Sequence, residues 1–290
     1  MTKRRVITFK NTDLTMDSVP TVSIIIRTTG ENHKLPSLAK LLKLLSKQTV
    51  RFHELIVSTE TNRNLIEHLI RNTFPKLNFE IKVLEIGAWN RCITTNKAIL
   101  RSKGEIIVVL EDDIILDKLW LERVLWVFRE MSCYNVGCVF TEFIVPRSRS
   151  LLRKKGIIGK LEKRSNIVKS DYLHESLTIP ITCFACKRQA LIKVGLFDEA
   201  LTEPMRGDDY ELGFRLFKKG YRILALREVR AIHATEYGSK YLRKPPEFWK
   251  NFFKTEMYTY AKHYDLLGIY IFSHMLYMIH RSFSQNFKNR

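Results

Sequence analysis

Two acidic clusters in this chain have the residue types and surroundings to do chemistry. Glu111-Asp112-Asp113 closes the apolar run Ile106–Leu110, and Asp208-Asp209 opens the segment Asp208–Leu216. Packing alone does not account for carboxylates at the end of a buried strand, because burying an unpaired charge is costly. They must meet solvent, a cation or a ligand. The first cluster has the oxygen chemistry of a hard-metal site. In an extended segment Glu111 and Asp113 point to one side and Asp112 to the other. Asp113 is therefore the expected direct ligand, with Glu111 second or reaching a nucleotide. Asp208-Asp209 follows Pro204-Met205-Arg206-Gly207 and precedes a helical pattern. It suits a general base and equally a helix cap. His233, at the end of Val229–Ile232, suits a third metal ligand or a structural histidine. Together the clusters point to metal-assisted transfer of a phosphate-activated group. A divalent cation would neutralise a diphosphate leaving group while a carboxylate takes a proton.

The elements that must hold these groups alternate. Thr21–Ile26, Glu54–Val57, Phe79–Leu84 and Glu105–Leu110 read as buried strands, rich in β-branched residues. Between them lie helical patterns at Pro36–Leu45, Asn64–Asn72 and Asn90–Ser102, with Gly104 as an expected C-cap. This order predicts a mostly parallel, doubly wound sheet flanked by helices, whose ligands lie beyond the carboxyl ends of the strands. Thr28, Thr29, Ser58, Thr59, Glu60 and Glu111–Asp113 all fall at those ends. Leu119–Met131, Arg188–Val194 and Tyr210–Lys218 read as further helices. Val136–Phe140, Leu177–Ala185, Tyr221–Leu226 and Val229–Ile232 read as further strands.

The chain of 290 residues carries 49 Lys+Arg against 30 Asp+Glu, a net charge of +19. That balance favours anionic partners. Residues 146–170 read as a basic loop. Residues 241–290 read as a helical, aromatic and basic appendage suited to a membrane interface, with Leu266–Ile279 too short for a span. Residues 1–20 read as a lead-in arm without the apolar core of a signal peptide. Five cysteines form no visible disulfide framework, which predicts free thiols in a reducing compartment.

These residues carry a resemblance. Val22–Ile26, Leu44–Gln48 and Glu54–Val57 are similar to the opening strand, "Sl..Q" helix end and second strand of the family 2 glycosyltransferases of GT-A fold. Asn96 with Gly104 resembles that family's "RN…a.Ge" helix, Glu111–Asp113 its D-x-D metal motif, and Val194–Asp198 its "vGgFDe". Gly207–Leu216 resembles its "ED…R" motif, and His233 stands at its "v.H". The likeness covers roughly residues 21–235, and residues 21–240 are expected to form one GT-A domain. It implies inverting hexosyl transfer from a nucleotide-diphosphate-sugar, with Asp209 as base beside Asp208. It implies Mg²⁺ or Mn²⁺ on Asp113, Glu111 and His233, and donor contacts from Thr28, Thr29, Glu60, Asn96, Glu111 and Asp112. The expected acceptor is a glycan or lipid-linked hydroxyl, the protein lying peripherally on the cytoplasmic face of a membrane, with no nucleic acid as partner. Three departures stand out. Ser58-Thr59-Glu60 replaces the family's base-reading Asp, Thr95 replaces its Arg, and Glu111 is the first motif acid. Two other readings remain open: a nucleotidyltransferase, though the chain has no Gly-rich loop at Arg27–Gly30, and a basic nucleic-acid- or membrane-binding module with a degenerate site.

Overall fold

A computed structural model describes residues 20–76, 78–87, 90–144, 173–201, 207–234, 246–263 and 276. The expected arm at 1–19, the basic loop at 146–170 and nearly all of Leu266–Ile279 lie outside them. The strands are β1 Val22–Arg27, β2 Glu54–Thr59, β3 Glu80–Glu85, β4 Ile106–Glu111, β5 Ile114–Leu116, β6 Val136–Ile144, β7 Leu173–Ser176, β8 Cys183–Lys187 and β9 Arg222–His233. The helices are α1 Leu35–Leu45, α2 Arg63–Thr73, α3 Arg91–Arg101, α4 Trp120–Glu130, α5 Arg188–Lys193, α6 Asp208–Lys218 and α7 Pro246–Lys262.

One sheet runs in the order β3-β2-β1-β4-β8-β6-β9-β5, with β7 on β9. The expected parallel pattern holds through β3-β2-β1-β4. Beyond β4 the sheet is mixed: β8 lies antiparallel to both β4 and β6, while β6 and β9 are parallel. The inner strands β1, β2 and β4 are buried on both faces because helices cover both. Ile24, Val57 and Val108 pack into the layer with α1, α2 and α4. Ile25, Ile56 and Val109 pack into the layer with α3 and α6.

Several boundaries move. The expected strand Leu177–Ala185 starts only at Cys183, as β8, because the turn at Pro180 takes the N–H of Cys183; β7 ends before it, at Ser176. The expected pair Tyr221–Leu226 and Val229–Ile232 is one strand. Its break survives as a bulge, where register jumps from Thr141–Leu226 to Phe143–Ala231. Gly104 does not cap α3. Ser102 leaves the helix in extended conformation, and Gly104 abuts the backbone of Ser23. The expectation of free thiols fails at one pair: Cys138 and Cys186, register partners on β6 and β8, form a disulfide. Cys183 is free and buried on the same strand.

The two loops at the mouth of the sheet are zipped together. Gly30 has φ +76, and a Cβ there would collide with Thr59 Oγ1 and Thr61 O. Asn62 Nδ2 donates to Gly30 O at 2.8 Å. Gly30→Ala should therefore combine left-handed strain with a backbone clash, costing ~2–4 kcal/mol in urea denaturation. An unchanged midpoint would mean the loops part freely.

Among the described residues no helix is long and apolar enough to cross a membrane. Helix α7 is not a detached appendage. Thr255, Thr259 and His263 at its inner face are buried against the domain.

Candidate active site

The carboxyl ends of β1, β2 and β4 meet at one rim, and β5 turns the chain back beside β9. Pairing of Ile114 with His233 sets the imidazole next to the acidic cluster. His233 Nε2 stands 3.2 Å from Asp113 Oδ1 and 3.3 Å from Glu111 Oε2. One ligand atom from each of Glu111, Asp113 and His233 lies within 4.8 Å of the others. In the turn that follows β4, Asp112 points elsewhere: it accepts from Thr28 Oγ1 at 2.6 Å and meets Lys34 Nζ at 3.5 Å.

Electrostatics follow from this packing. Burial alone would lower the His233 pKa, but its hydrogen bonds to the Asp113 and Glu111 carboxylates outweigh it and raise it to about 9. Burial alone would raise Glu111, but His233 and Arg27 hold it below its ordinary value. Asp112 is raised, chiefly by burial. Two carboxylate oxygens and one imidazole nitrogen form a donor set that fits a divalent cation; Mn²⁺ accepts the nitrogen more readily than Mg²⁺ does.

Arg27 organises the layer beneath. It is 1% exposed, and a buried guanidinium cannot shed its charge. It donates to Glu111 Oε1 at 3.1 Å, to Ile181 O at 2.5 Å and to Thr95 Oγ1 at 3.2 Å. Its guanidinium thus reaches residue 95, where the family pattern has an arginine. Arg27 also feels the charges of Arg91 and Asp208, which links the two acidic clusters.

The second cluster opens α6, two residues earlier than the expected Tyr210. Gly207 precedes it with φ +122, and a Cβ there would strike Tyr210 and Thr255. Asp208 and Asp209 then sit in the first turn, where the helix dipole favours anions. Their fates differ. Asp208, 3% exposed, is gripped by Arg91 through Nε at 3.0 Å and Nη2 at 3.2 Å. That ion pair balances the charge of Asp208. Asp209 is half-buried, and burial first, then Asp208, pushes its carboxyl up to about 6. A carboxylate so tuned is the better general base near neutral pH.

Other expected contacts sort as follows. Thr28 is buried and orients Asp112. Thr29 donates to Glu31 at 3.0 Å. Glu60 is part-exposed just past the end of β2. Asn96 is corrected. Its amide donates to Phe197 O and Glu199 Oε1 and accepts from Phe197 N–H, each at 2.9 Å. Both ends are engaged in stapling α3 to the loop after α5, so it has no free donor for a ligand.

Sequence reasoning missed Arg27, Arg91 and Lys34. The first two had legible signals. A charged residue closing an otherwise apolar strand needs a buried carboxylate, and a cation at the first position of a helix opposes the dipole unless an acid answers it. Lys34 had none.

The comparisons agree with this architecture. Residues 23–195, more than half the chain, match the model of glycosyl transferase family 2. The chain is 25% identical over 228 residues to the O-antigen biosynthesis protein RfbC of Myxococcus xanthus, covering 74% of this chain and 17% of that protein. It is 20% identical over 273 residues to the chondroitin synthase of Escherichia coli, covering 79% and 39%. The chain thus spans well under half the length of these relatives. Its fold is similar to S. aureus TarS (TM-score 0.61, 16% identity, 88% of this chain and 43% of that one). It is likewise similar to GalNAc-T7 solved with UDP, GalNAc and Mn²⁺ (TM-score 0.60, 16% identity, 82% and 48%). With a GT-A-like sheet, a rim of acids at its strand ends and a family match over residues 23–195, the chain belongs to glycosyl transferase family 2.

Proposed function

We propose that the protein is a metal-dependent, inverting glycosyltransferase that moves a hexosyl unit from a nucleotide-diphosphate-sugar to an acceptor hydroxyl. The observation that carries this reading is the pairing of two differently tuned acid clusters at one rim. Glu111, Asp113 and His233 form a cation-ready set, and Asp209 is lifted to about 6 beside an Asp208 already neutralised by Arg91.

In this reading Asp113 and His233 hold the cation, with Glu111 shared between it and Arg27. A bound Mn²⁺ or Mg²⁺ supplies charge neutralisation for the leaving diphosphate. Thr29 and Glu60 line the base and ribose side, while Asp112, fixed by Thr28 and Lys34, faces the nucleotide. Asp209 takes the proton from the acceptor hydroxyl. The new C–O bond forms at the anomeric carbon as the bond to the diphosphate breaks, and the nucleoside diphosphate departs. Displacement from the opposite face inverts the centre. ¹H NMR of the first-formed product from an α-linked donor should show the β-anomer; retention would overturn the single displacement.

Base preference should rest on Glu60, because Ser58 offers only a hydroxyl. Competition among UDP, GDP and TDP should show weak discrimination for uracil. A clear UDP preference retained in Glu60→Ala would contradict this. An acceptor presented at an anionic membrane surface agrees with the net charge of +19, since each cation near such a surface contributes ~1 kcal/mol. Salt-reversible pelleting with anionic but not neutral vesicles tests it, and protein left in the supernatant at low salt refutes it.

A further inference from the structure

Helix α7 lies past the residues matched by the family model, yet it ends in a buried charge knot on the helix that carries Asp209. At the centre is Glu211, fully buried in the first turn of α6. Its Oε1 accepts from Arg215 Nε at 2.8 Å, from Lys262 Nζ at 2.8 Å and from His263 Nε2 at 3.2 Å. Its Oε2 accepts from Arg215 Nη2 at 2.7 Å. Arg215 belongs to α6 itself; Lys262 and His263 come from α7 and the residue after it.

The same two residues reach outward. Lys262 Nζ also donates to Asp198 Oδ2 at 2.7 Å, where the Tyr258 hydroxyl donates at the same distance. Asp198 lies in the loop that Asn96 staples to α3. Lys218 Nζ stands 3.1 Å from His263 Nδ1. An ammonium can only donate, so the ring accepts at Nδ1 and donates from Nε2 to Glu211. The His263 ring also meets Phe214 edge to face at 6.0 Å. Higher on the helix, Thr255 fills the space over Gly207, the residue immediately before the two aspartates. Every one of these contacts falls on α6 or on the loop after α5.

We infer that Lys262 and His263 are positioning residues for the transfer: by holding Glu211 they fix the first turn of α6, and with it the placement of Asp209. The physical reason is the cost of a buried carboxylate stripped of its donors. The first turn can relieve that cost only by moving Glu211 towards water, and Asp209 sits two residues away on the same turn. A displacement of about 1 Å at a reacting group is enough to lose ~10²-fold in rate. Burial alone would raise the Glu211 pKa, but His263, Arg215 and Lys262 hold it at about 2, so the knot stays charged throughout the working range.

The test uses full-length Lys262→Met, which keeps the aliphatic stem, together with His263→Gln and the rescue variant Lys262→Arg. Two amides report the geometry directly: Glu211 N–H, which donates to Gly207 O at 2.9 Å, and Ile179 N–H, which donates to Asp209 O at 3.1 Å. In Lys262→Met and His263→Gln, hydrogen exchange at both should accelerate at least ~10-fold relative to amides of β1 and β4. Hydrolysis of a nucleotide-sugar with Mn²⁺ should lose ~10–100-fold in kcat with donor KM unchanged, and Lys262→Arg should recover most of both. The inference is overturned if exchange at the two amides is unchanged in both variants. It is also overturned if exchange accelerates uniformly, β4 included, while kcat and KM deteriorate together. The kinetic arm rests on the transferase reading and the exchange arm does not. If the wild type hydrolyses no donor, that reading fails, and exchange alone decides whether α7 holds the turn.

Discussion

Asp209→Asn should cut transfer by ~10²–10⁴-fold, the usual worth of a general base, while metal-dependent nucleotide binding stays near wild type. Asparagine preserves the shape of the first turn of α6 and the bond from Ile179 N–H to the carbonyl at 209, so the loss isolates the proton transfer. The wild-type profile carries the same signature. Burial and the neighbouring Asp208 lift the Asp209 carboxyl to about 6, so turnover should rise with pH through about 6 as the base ionises. The sign for stability is opposite. With a folded-state pKa above the unfolded value, the native state holds this proton more tightly, and the stability it contributes is lost as pH rises from about 4 through about 6. Removing the ionisable group removes that penalty. Asp209→Asn should therefore melt higher than wild type at pH 7.5, with the gap closing towards pH 4. Near-wild-type turnover in a folded Asp209→Asn protein would sink the assignment.

Asp113→Ala should abolish Mn²⁺-dependent nucleotide binding, measured by calorimetry, whereas Asp112→Ala should weaken nucleotide binding and leave its dependence on metal intact. The geometry separates the neighbours: Asp113 faces His233 at 3.2 Å, and Asp112 turns to Thr28 and Lys34. Arg27 already balances Glu111, so Glu111→Gln should be milder than Asp113→Ala. If Asp112→Ala proves the more damaging of the adjacent pair, the cation is held on the other side of the strand.

Much of the donor side was legible because strand periodicity is a strong signal. The apolar run before Glu111 places the acids at a strand end, and the apolar runs of β1, β2 and β4 fix which chain ends meet; Asp112 and Asp113 part in the turn after β4. The distribution of charge beneath them was harder to see. Local pattern hints that Arg27 and Arg91 need acids, but the partners lie 84 and 117 residues away, and no local pattern names them. Asn96 illustrates the converse. Its helix position was readable, but only the tertiary placement of Phe197 and Glu199 reveals that its amide is fully engaged. Strand direction beyond β4 was not legible for a similar reason: β8 is as apolar as a parallel strand because both core layers cover it, and composition does not encode direction. The C-terminal aromatics suggested a separate surface element, whereas α7 is tied to α6 through Lys262 and His263, which patterning showed only as charges between rings.

The central claim is that this chain moves a sugar from a nucleotide donor with the help of a divalent cation. Release of nucleoside diphosphate from a panel of nucleotide-sugars, with Mn²⁺ and with chelator, tests it most directly. The account predicts release from at least one donor that requires the cation, is lost in Asp113→Ala and falls by orders of magnitude in Asp209→Asn. Release from no donor by folded, Mn²⁺-loaded protein, or release indifferent to chelator and to both substitutions, would contradict it.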